Sequence, residues 1–449
     1  MDVFGSSGTR GPVTEVTPAF ATRVARAAVT TWDAERIAVA RDTRTTGELL
    51  TNAVAAGAAS AGADVDRLGV QPTPSLQVHA ERAGVPGVVV TASHNPPADN
   101  GIKLYDDTGH ELSPDAYDAV ADEFGSARRA DWDAVGDTRH VEDAGQRYAE
   151  TVCDALDRTT IANANLRVAV DPGHGAGAAT TPTILRRLGC SVVTTNAQPD
   201  GRFPGRDPEP VAEHLGDLRR LVRAADADVG VAHDGDADRA VFVDETGATI
   251  PPESSFAAFA AAAVGSGDTL VSAVNVSQRV VDAVESAGGQ VDLTPIGSAY
   301  IFARVRELER AGERVPVAGE GNGGVAFPPY RLARDGAYIA GRFLELVAER
   351  PASDVAAAHA DYHSVRENVA YATDAEREAM LDAAERMAAE SDAQVTTIDG
   401  YRLDFGDGWV LARPSGTEPL VRVYAEAGSE ARAEELLARM ADPLRAARG

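Results

Sequence analysis

The sequence predicts an α/β protein of several domains with largely parallel sheets, closed by a C-terminal unit of a different, α+β kind. Three observations predict it. Short apolar, β-branched runs alternate with Ala/Arg/Glu-rich helical stretches through most of the chain. Glycine-rich turns follow the strands directly, which puts loops at the carboxyl ends, where such sheets bind ligands. At 449 residues the chain is also too long for one hydrophobic core.

The elements follow in order. "RIAVARD" (36–42) reads as a strand and "TGELLTNAVAAGAASAG" (46–62) as a helix. "GVVV", from Gly87, is a strand that empties into the loop "TASHNPPADNGIKLY". "LRVAVDPGHGAGAATTPTILRRLG" (166–189) reads as strand, Gly-rich turn and helix, and "DTLVSAVNVSQRVVDAVESAG" (268–288) repeats strand then helix. After "RENVAYATDAEREAMLDAAERMAAES" come "GYRLDFGDGWVLARPSG" and "LVRVYAEAGSEARAEELLARM", short strands packed with helices. The expected divisions are 1–150, 151–252, 253–365 and 366–449, with no short-period repeat.

Net charge is −27, and Lys103 is the only lysine in the chain. An acidic surface repels nucleic acid and anionic membranes, and it reads as an adaptation that keeps the protein in solution in concentrated salt. Cys153 and Cys190 have neither the number nor the spacing for a disulfide framework or a zinc site. "FAAFAAAAV" (256–264) is far short of the ~18 residues of a membrane span. With no charged-then-apolar leader, the expected location is cytoplasmic.

Four loops carry candidate chemistry. Ser93 sits where "GVVVTA" gives out. A Ser93–His94 dyad is disfavoured because neighbours in extended chain point to opposite sides, and the G-x-S-x-G elbow is missing. The serine reads instead as a carrier of a phosphoryl group, with Lys103 to neutralise phosphate or transfer a proton. In "VGVAHDGDADRAVFVDETG" (229–247), Asp234, Asp236 and Asp238 alternate, so in extended chain their carboxylates share one side. Three hard oxygen ligands suit Mg²⁺. An EF-hand is rejected: Arg239 stands where that loop needs glycine, and the flanks read as strands.

In "WVLARPSGTEPLVRVYAEA" (409–427), Ser415, Gly416 and Thr417 lie beside Arg413 and Arg422 and read as an anion cradle. In "VAGEGNGGVAFPPYRLARDG" (317–336), Glu320 and Asn322 alternate with glycines and could hold sugar hydroxyls. "FGSSGTRG" (4–11) adds Ser6, Ser7 and Arg10, and "ARDTR" (40–44) adds two more arginines. Taken singly, these segments are common turns.

Taken together and in this order, "FGSSGTRG", "TASHNPPADNGIKLY", "DGDADR", "GEGNGG" and "RPSGTEP" resemble the α-D-phosphohexomutase family over nearly the full length, and the GEGNGG form resembles archaeal members. "PDGRFPGRDPEP" (199–210) also looks like a family segment. The resemblance implies three related α/β domains with mixed or parallel sheets and a smaller C-terminal α+β domain around a central cleft. It also implies a mutase that interconverts hexose 1- and 6-phosphates of glucosamine, mannose or glucose. Phosphorylated Ser93 and a 1,6-bisphosphate intermediate would carry the reaction.

By the same resemblance Asp234, Asp236 and Asp238 hold Mg²⁺, Ser93 is counted with them, and Arg239 contacts the same region. Arg10, Lys103 and His94 join Ser93 as catalytic candidates. Glu320 and Asn322 read the sugar, while Arg413, Ser415, Gly416, Thr417 and Arg422 grip the distal phosphate. The implied cofactors are Mg²⁺ and a hexose 1,6-bisphosphate activator; the implied partner is a phosphosugar, and the chain is a monomer or homodimer.

Two departures stand out. Gly324 takes the place where many relatives carry the histidine of GExSGH, and Ser298 the place where relatives carry a charged or imidazole side chain. The competing readings are a phosphoserine phosphatase of the alkaline type, which needs a larger His/Asp metal cluster, and a sugar-phosphate-binding protein without catalysis.

Overall fold

The computed structural model describes Phe4 and residues 8–359, 361–415 and 418–448. The alternating sequence folds into four sheets. The first is ordered β1 (Thr9–Pro12), β5 (Asp99–Tyr105), β4 (Gly87–Val90), β2 (Arg36–Arg41), β3 (Asp64–Val70), β6 (Thr138–His140). The second runs β11 (Thr249–Ile250), β10 (Val241–Asp244), β9 (Val229–Ala232), β7 (Arg167–Asp171), β8 (Ser191–Thr194). The third runs β13 (Gln290–Thr294), β12 (Thr269–Ala273), β14 (Ala318–Gly319), β15 (Val325–Phe327), β16 (Arg331–Arg334).

These three sheets share one plan. Two parallel strands joined by a helix are followed by a third parallel strand, which turns straight back into an antiparallel fourth. The orders β5-β4-β2-β3, β10-β9-β7-β8 and β15-β14-β12-β13 are the same order. The sheets are therefore mixed where the alternation alone suggested parallel ones, because a short loop can join neighbouring strands only antiparallel. That return loop is where the chemistry lies: residues 91–98, 233–240 and 320–324 each leave the carboxyl end of the third strand.

The fourth sheet is wholly antiparallel: β17 (His363–Ala370), β21 (Leu420–Ala427), β20 (Gly408–Pro414), β19 (Tyr401–Asp404), β18 (Gln394–Thr396). Helices Asp374–Glu390 and Glu430–Ala447 cover it, with Met380, Leu403, Val423, Leu436 and Met440 in a core of its own. Two expected divisions fall inside elements: helix Ala144–Asp154 spans residue 150, and β17 spans residue 365.

Apolar packing fixes the sheets relative to one another. Phe242 of β10 stacks on Phe343 at 3.9 Å, and Phe259 meets both rings edge-on, so the second and third units share one continuous core. The fourth unit docks more lightly, through Trp409 and Leu411 against Val274. Cys153 and Cys190 are buried free thiols. Among the described residues no helix is long and apolar enough to cross a membrane.

Candidate active site

Ser93 is held by its backbone before its side chain does anything. Its φ is +52°, left-handed, a conformation that costs a non-glycine residue about 1–3 kcal/mol and needs surrounding support. The support is a buried clamp. Arg44 donates through Nη2 to the carbonyls of Ser93 (2.8 Å) and Asn95 (2.6 Å), and through Nη1 to those of Pro96 (2.6 Å) and Asp99 (2.8 Å). Its Nε donates to Asp42 Oδ2 at 3.0 Å. Asp42 also accepts from Thr91 Oγ1, which in turn accepts from the Ser93 N–H at 2.8 Å. Sequence reasoning saw only two extra arginines in "ARDTR"; nothing in the letters says that one of them would cap four carbonyls.

Arg44→Leu leaves the Asp42 carboxylate buried without its cation and strips four carbonyls of their donor, so we expect a loss of about 3–5 kcal/mol. Urea unfolding followed by circular dichroism measures it. A loss below about 1 kcal/mol would show the clamp to be slack.

The left-handed turn also corrects the dyad argument. The chain at Ser93 is not extended, and Ser93 Oγ lies 3.2 Å from His94 Nδ1. Arg239, followed by burial, holds the His94 imidazole far below its ordinary pKa and therefore neutral. Ser93 Oγ donates to Asp234 Oδ2 at 2.6 Å, so the serine of the first unit touches the Asp loop of the second. Gly235 permits that approach: a Cβ there would sit 2.6 Å from the Ser93 carbonyl oxygen.

The Asp loop is likewise a turn, with Ala237 at φ +53°, rather than the extended segment assumed from the spacing. It still gathers its carboxylates: oxygens of Asp234, Asp236 and Asp238 lie within 4.8 Å of one another, all buried. The Oδ2 atoms are engaged. Lys103 Nζ lies 2.8 Å from Asp236 Oδ2 and 3.4 Å from Asp238 Oδ2; Thr73 Oγ1 donates to Asp236 Oδ2 at 2.6 Å, and Arg334 Nη2 to Asp238 Oδ2 at 2.7 Å. The Oδ1 atoms of Asp236 and Asp238 are buried with no hydrogen-bond partner among the described residues. Two orphaned carboxylate oxygens beside a third carboxylate form a hard oxygen set that fits Mg²⁺.

The electrostatics agree. Burial and the two neighbouring carboxylates push Asp234 well above the ordinary carboxylate range. Burial acts the same way on Asp236, but Lys103 and Thr73 outweigh it and hold Asp236 low. Arg10 is half-buried and feels Asp236, Asp238, Arg239 and Arg334, and Arg239 Nε lies 3.9 Å from both Asp234 and Asp238. Four cations (Arg10, Lys103, Arg239, Arg334) thus surround three carboxylates, in a protein whose net charge is −27. Such a cluster is suited to a multiply charged anion.

The third return loop brings Glu320 and Asn322 together. Asn322 Nδ2 donates to Glu320 Oε2 at 3.0 Å, Glu320 Oε1 accepts from Gly297 N, and Asn322 Oδ1 accepts from Gly324 N at 3.0 Å. The loop is tied to the Asp loop by Ala240 N→Gly323 O at 3.0 Å. Ser298 Oγ donates to buried Glu111, a residue the sequence did not single out.

In the fourth unit Arg413 and Arg422 face each other across β20 and β21. Each already has a carboxylate neighbour: Arg413 Nε is 3.0 Å from Asp399 Oδ2, and Arg422 Nη2 donates to Glu418 Oε2 at 2.8 Å. The Ser415 N–H donates to the Leu420 carbonyl. Gly416 and Thr417, like Ser6 and Ser7, lie outside the described residues. The segment "PDGRFPGRDPEP" joins the first two loops: Gly201 bridges Arg44, and buried Arg206 donates to the His233 carbonyl at 2.6 Å and to Asp171.

Comparison with known proteins agrees with this architecture. Family models described as phosphoglucomutase/phosphomannomutase alpha/beta/alpha domains I, II and III match residues 1–130, 146–247 and 251–362, and the corresponding C-terminal domain matches 368–442. A probable phosphoglucosamine mutase of Methanopyrus kandleri is 39% identical, covering 98% of this chain and 97% of its own. A phosphoglucomutase/phosphomannomutase of Thermococcus kodakarensis is 38% identical, over 97% and 96%. A phosphopentomutase of the same organism is 35% identical, over 97% and 96%. The crystal structure of a phosphoglucomutase/phosphomannomutase family protein from Burkholderia thailandensis superposes with a TM-score of 0.87 at 27% identity, over 99% of this chain and 97% of that one.

Three units of one topology with their return loops turned together, an antiparallel fourth unit and relatives named as mutases define a phosphotransferase of the mutase type. The chain belongs to the α-D-phosphohexomutase family.

Proposed function

We propose that the protein interconverts hexose 1-phosphates and 6-phosphates through a phosphorylated Ser93. The observation that carries this reading is the 2.6 Å contact of Ser93 Oγ with Asp234, inside a cluster of three buried carboxylates and four cations. Asp234, Asp236 and Asp238 would hold Mg²⁺, with the Ser93 group beside them. When bound, the ion would offset charge on the phosphoryl oxygens. The chain's own groups do the rest.

In the forward transfer the P–Oγ bond of phospho-Ser93 breaks while a bond forms from phosphorus to a sugar hydroxyl oxygen. The hydroxyl gives up its proton and Ser93 Oγ gains one, leaving a sugar 1,6-bisphosphate. The reverse transfer from the other phosphate reloads Ser93. Lys103 is the proposed proton donor and phosphoryl neutraliser, with Arg10 and Arg239 alongside; His94 is a neutral neighbour of the serine. Glu320 and Asn322 would read sugar hydroxyls. The Arg413–Thr417 loop and Arg422 would hold the phosphate that is not reacting, exchanging their present carboxylate neighbours for it. A rigid distal anchor matters because transfer requires in-line geometry at contact distance.

Lys103 lies fully buried in a slot between two carboxylates. Lys103→Arg keeps the charge but overfills the slot and removes a proton that can be transferred. The expected outcome is a kcat lower by about 10²-fold or more. Steady-state assays measure it, and an unchanged kcat removes Lys103 from proton transfer.

A pentose phosphate is a second reading, carried by the 35% identical phosphopentomutase. Comparing kcat/KM for glucosamine, mannose, glucose and pentose 1-phosphates, with a hexose 1,6-bisphosphate present as activator, decides between them. Turnover of none of the hexose phosphates would overturn the proposal.

A further inference from the structure

Arg334 was not among the candidates read from the sequence, and it stands at the junction of two of the loops. It is the last residue of β16, buried, directly before Asp335, which caps helix Gly336–Val347 through a hydrogen bond from Tyr338 N. The strand on one side and the capping residue on the other hold its backbone in place. Its Nη2 donates to Asp238 Oδ2 at 2.7 Å, and Asp238, Glu111, Glu320 and Asp236 are the acidic groups that act on it. Asp238 Oδ1, on the other edge of the same carboxylate, has no hydrogen-bond partner among the described residues; Arg239 Nε is 3.9 Å from it.

The stem of Arg334 passes through the space beside Gly324. A Cβ built on Gly324 would lie 2.7 Å from Arg334 Cδ and 3.6 Å from its Nη1. The first distance is shorter than a carbon–carbon contact allows, and the guanidinium is anchored at its far end, so the stem cannot simply swing away. Gly324 closes the Glu320–Asn322 loop, with its own N–H on Asn322 Oδ1. The absence of a side chain at 324 and the presence of arginine at 334 are therefore one feature of the packing.

We propose that Arg334 is a positioning residue of the carboxylate site: by gripping Asp238 Oδ2 it keeps Oδ1 directed at the ion, and Gly324 is bare to let it through. The inference rests on the reading of Asp234, Asp236 and Asp238 as a Mg²⁺ site. Thr73 and Lys103, from the first unit, do the same for Asp236. Arg334 brings the third unit into the arrangement, so the ion's affinity depends on how the sugar loop is seated. Groups that orient a metal ligand typically change affinity by about 10–100-fold when removed.

The test is calorimetric titration with Mg²⁺ alone on the full chain, alongside kcat and KM. Arg334→Ala is expected to weaken Mg²⁺ binding by about 10–100-fold, with kcat falling more than KM rises. Arg334→Lys, which restores a donor for Asp238, should recover part of the loss. Gly324→Ala should weaken Mg²⁺ in the same direction, and adding it to Arg334→Ala should cost nothing further. Unchanged Mg²⁺ affinity in folded Arg334→Ala overturns the proposal, as do additive effects of the pair. Should Arg334→Ala fail to fold, unchanged affinity in Gly324→Ala does the same. A wild-type chain that binds no Mg²⁺ sinks the metal reading and this inference together, whereas tight wild-type binding indifferent to both positions sinks this inference alone.

Discussion

Ser93→Ala is expected to abolish turnover, lowering kcat by at least about 10⁴-fold, because the proposed covalent carrier is gone and a phosphoryl group would have no route to the second hydroxyl. The substitution removes one buried hydroxyl and its 2.6 Å bond to Asp234. It leaves the Arg44 clamp, whose bonds run to backbone carbonyls. Folding and sugar-phosphate binding should therefore survive. Two measurements read the outcome: steady-state kinetics, and intact-mass analysis after incubation with a hexose 1,6-bisphosphate. Wild type should gain a phosphoryl adduct at Ser93 and the variant none. Full activity in Ser93→Ala would end the phosphoserine account.

Asp236→Asn should be nearly as damaging. Asp236 has two duties on its two oxygens: Oδ2 engages Lys103 and Thr73, while Oδ1 is the orphan that suits an ion. The amide keeps the shape but loses the charge. It also turns an N–H₂ either toward the ion or toward the Lys103 ammonium, and both placements are repulsive. Several kcal/mol of transition-state stabilisation correspond to a kcat lower by about 10²–10⁴-fold. Chelation of the wild-type enzyme should produce a comparable loss that added Mg²⁺ restores, whereas the variant should not recover. Full rates after exhaustive chelation would refute the metal assignment.

How much of this could be read from the letters depends on what kind of fact was being asked for. Strand–helix alternation is a local property of side-chain pattern, and "RIAVARD", "LRVAVD" and "DTLVSA" all form strands close to where the pattern put them. The Ser, Asp and Glu loops stood out because glycine, proline and short polar residues interrupt apolar runs. The extended backbone assumed at two of these loops is not what forms. Ser93 and Ala237 both adopt left-handed conformations, so Ser93 meets His94 where the extended geometry would have separated them. The carboxylates of the Asp loop converge across a turn rather than along a strand.

By itself the sequence determined which chemical groups are available: a serine at a strand end, alternate aspartates between two apolar strands, and the only lysine of the chain. Those are matters of local residue type and spacing. Only the tertiary structure decided which atom of each group is committed and which is left over. Thr73, Lys103 and Arg334 come from distant stretches and occupy one edge of two carboxylates, and Arg44 secures the serine loop through main-chain oxygens that carry no sequence identity. The physical reason is that a buried polar atom is satisfied or orphaned by whatever the fold packs against it, and partners far apart in the chain leave no periodic or neighbouring signal to read.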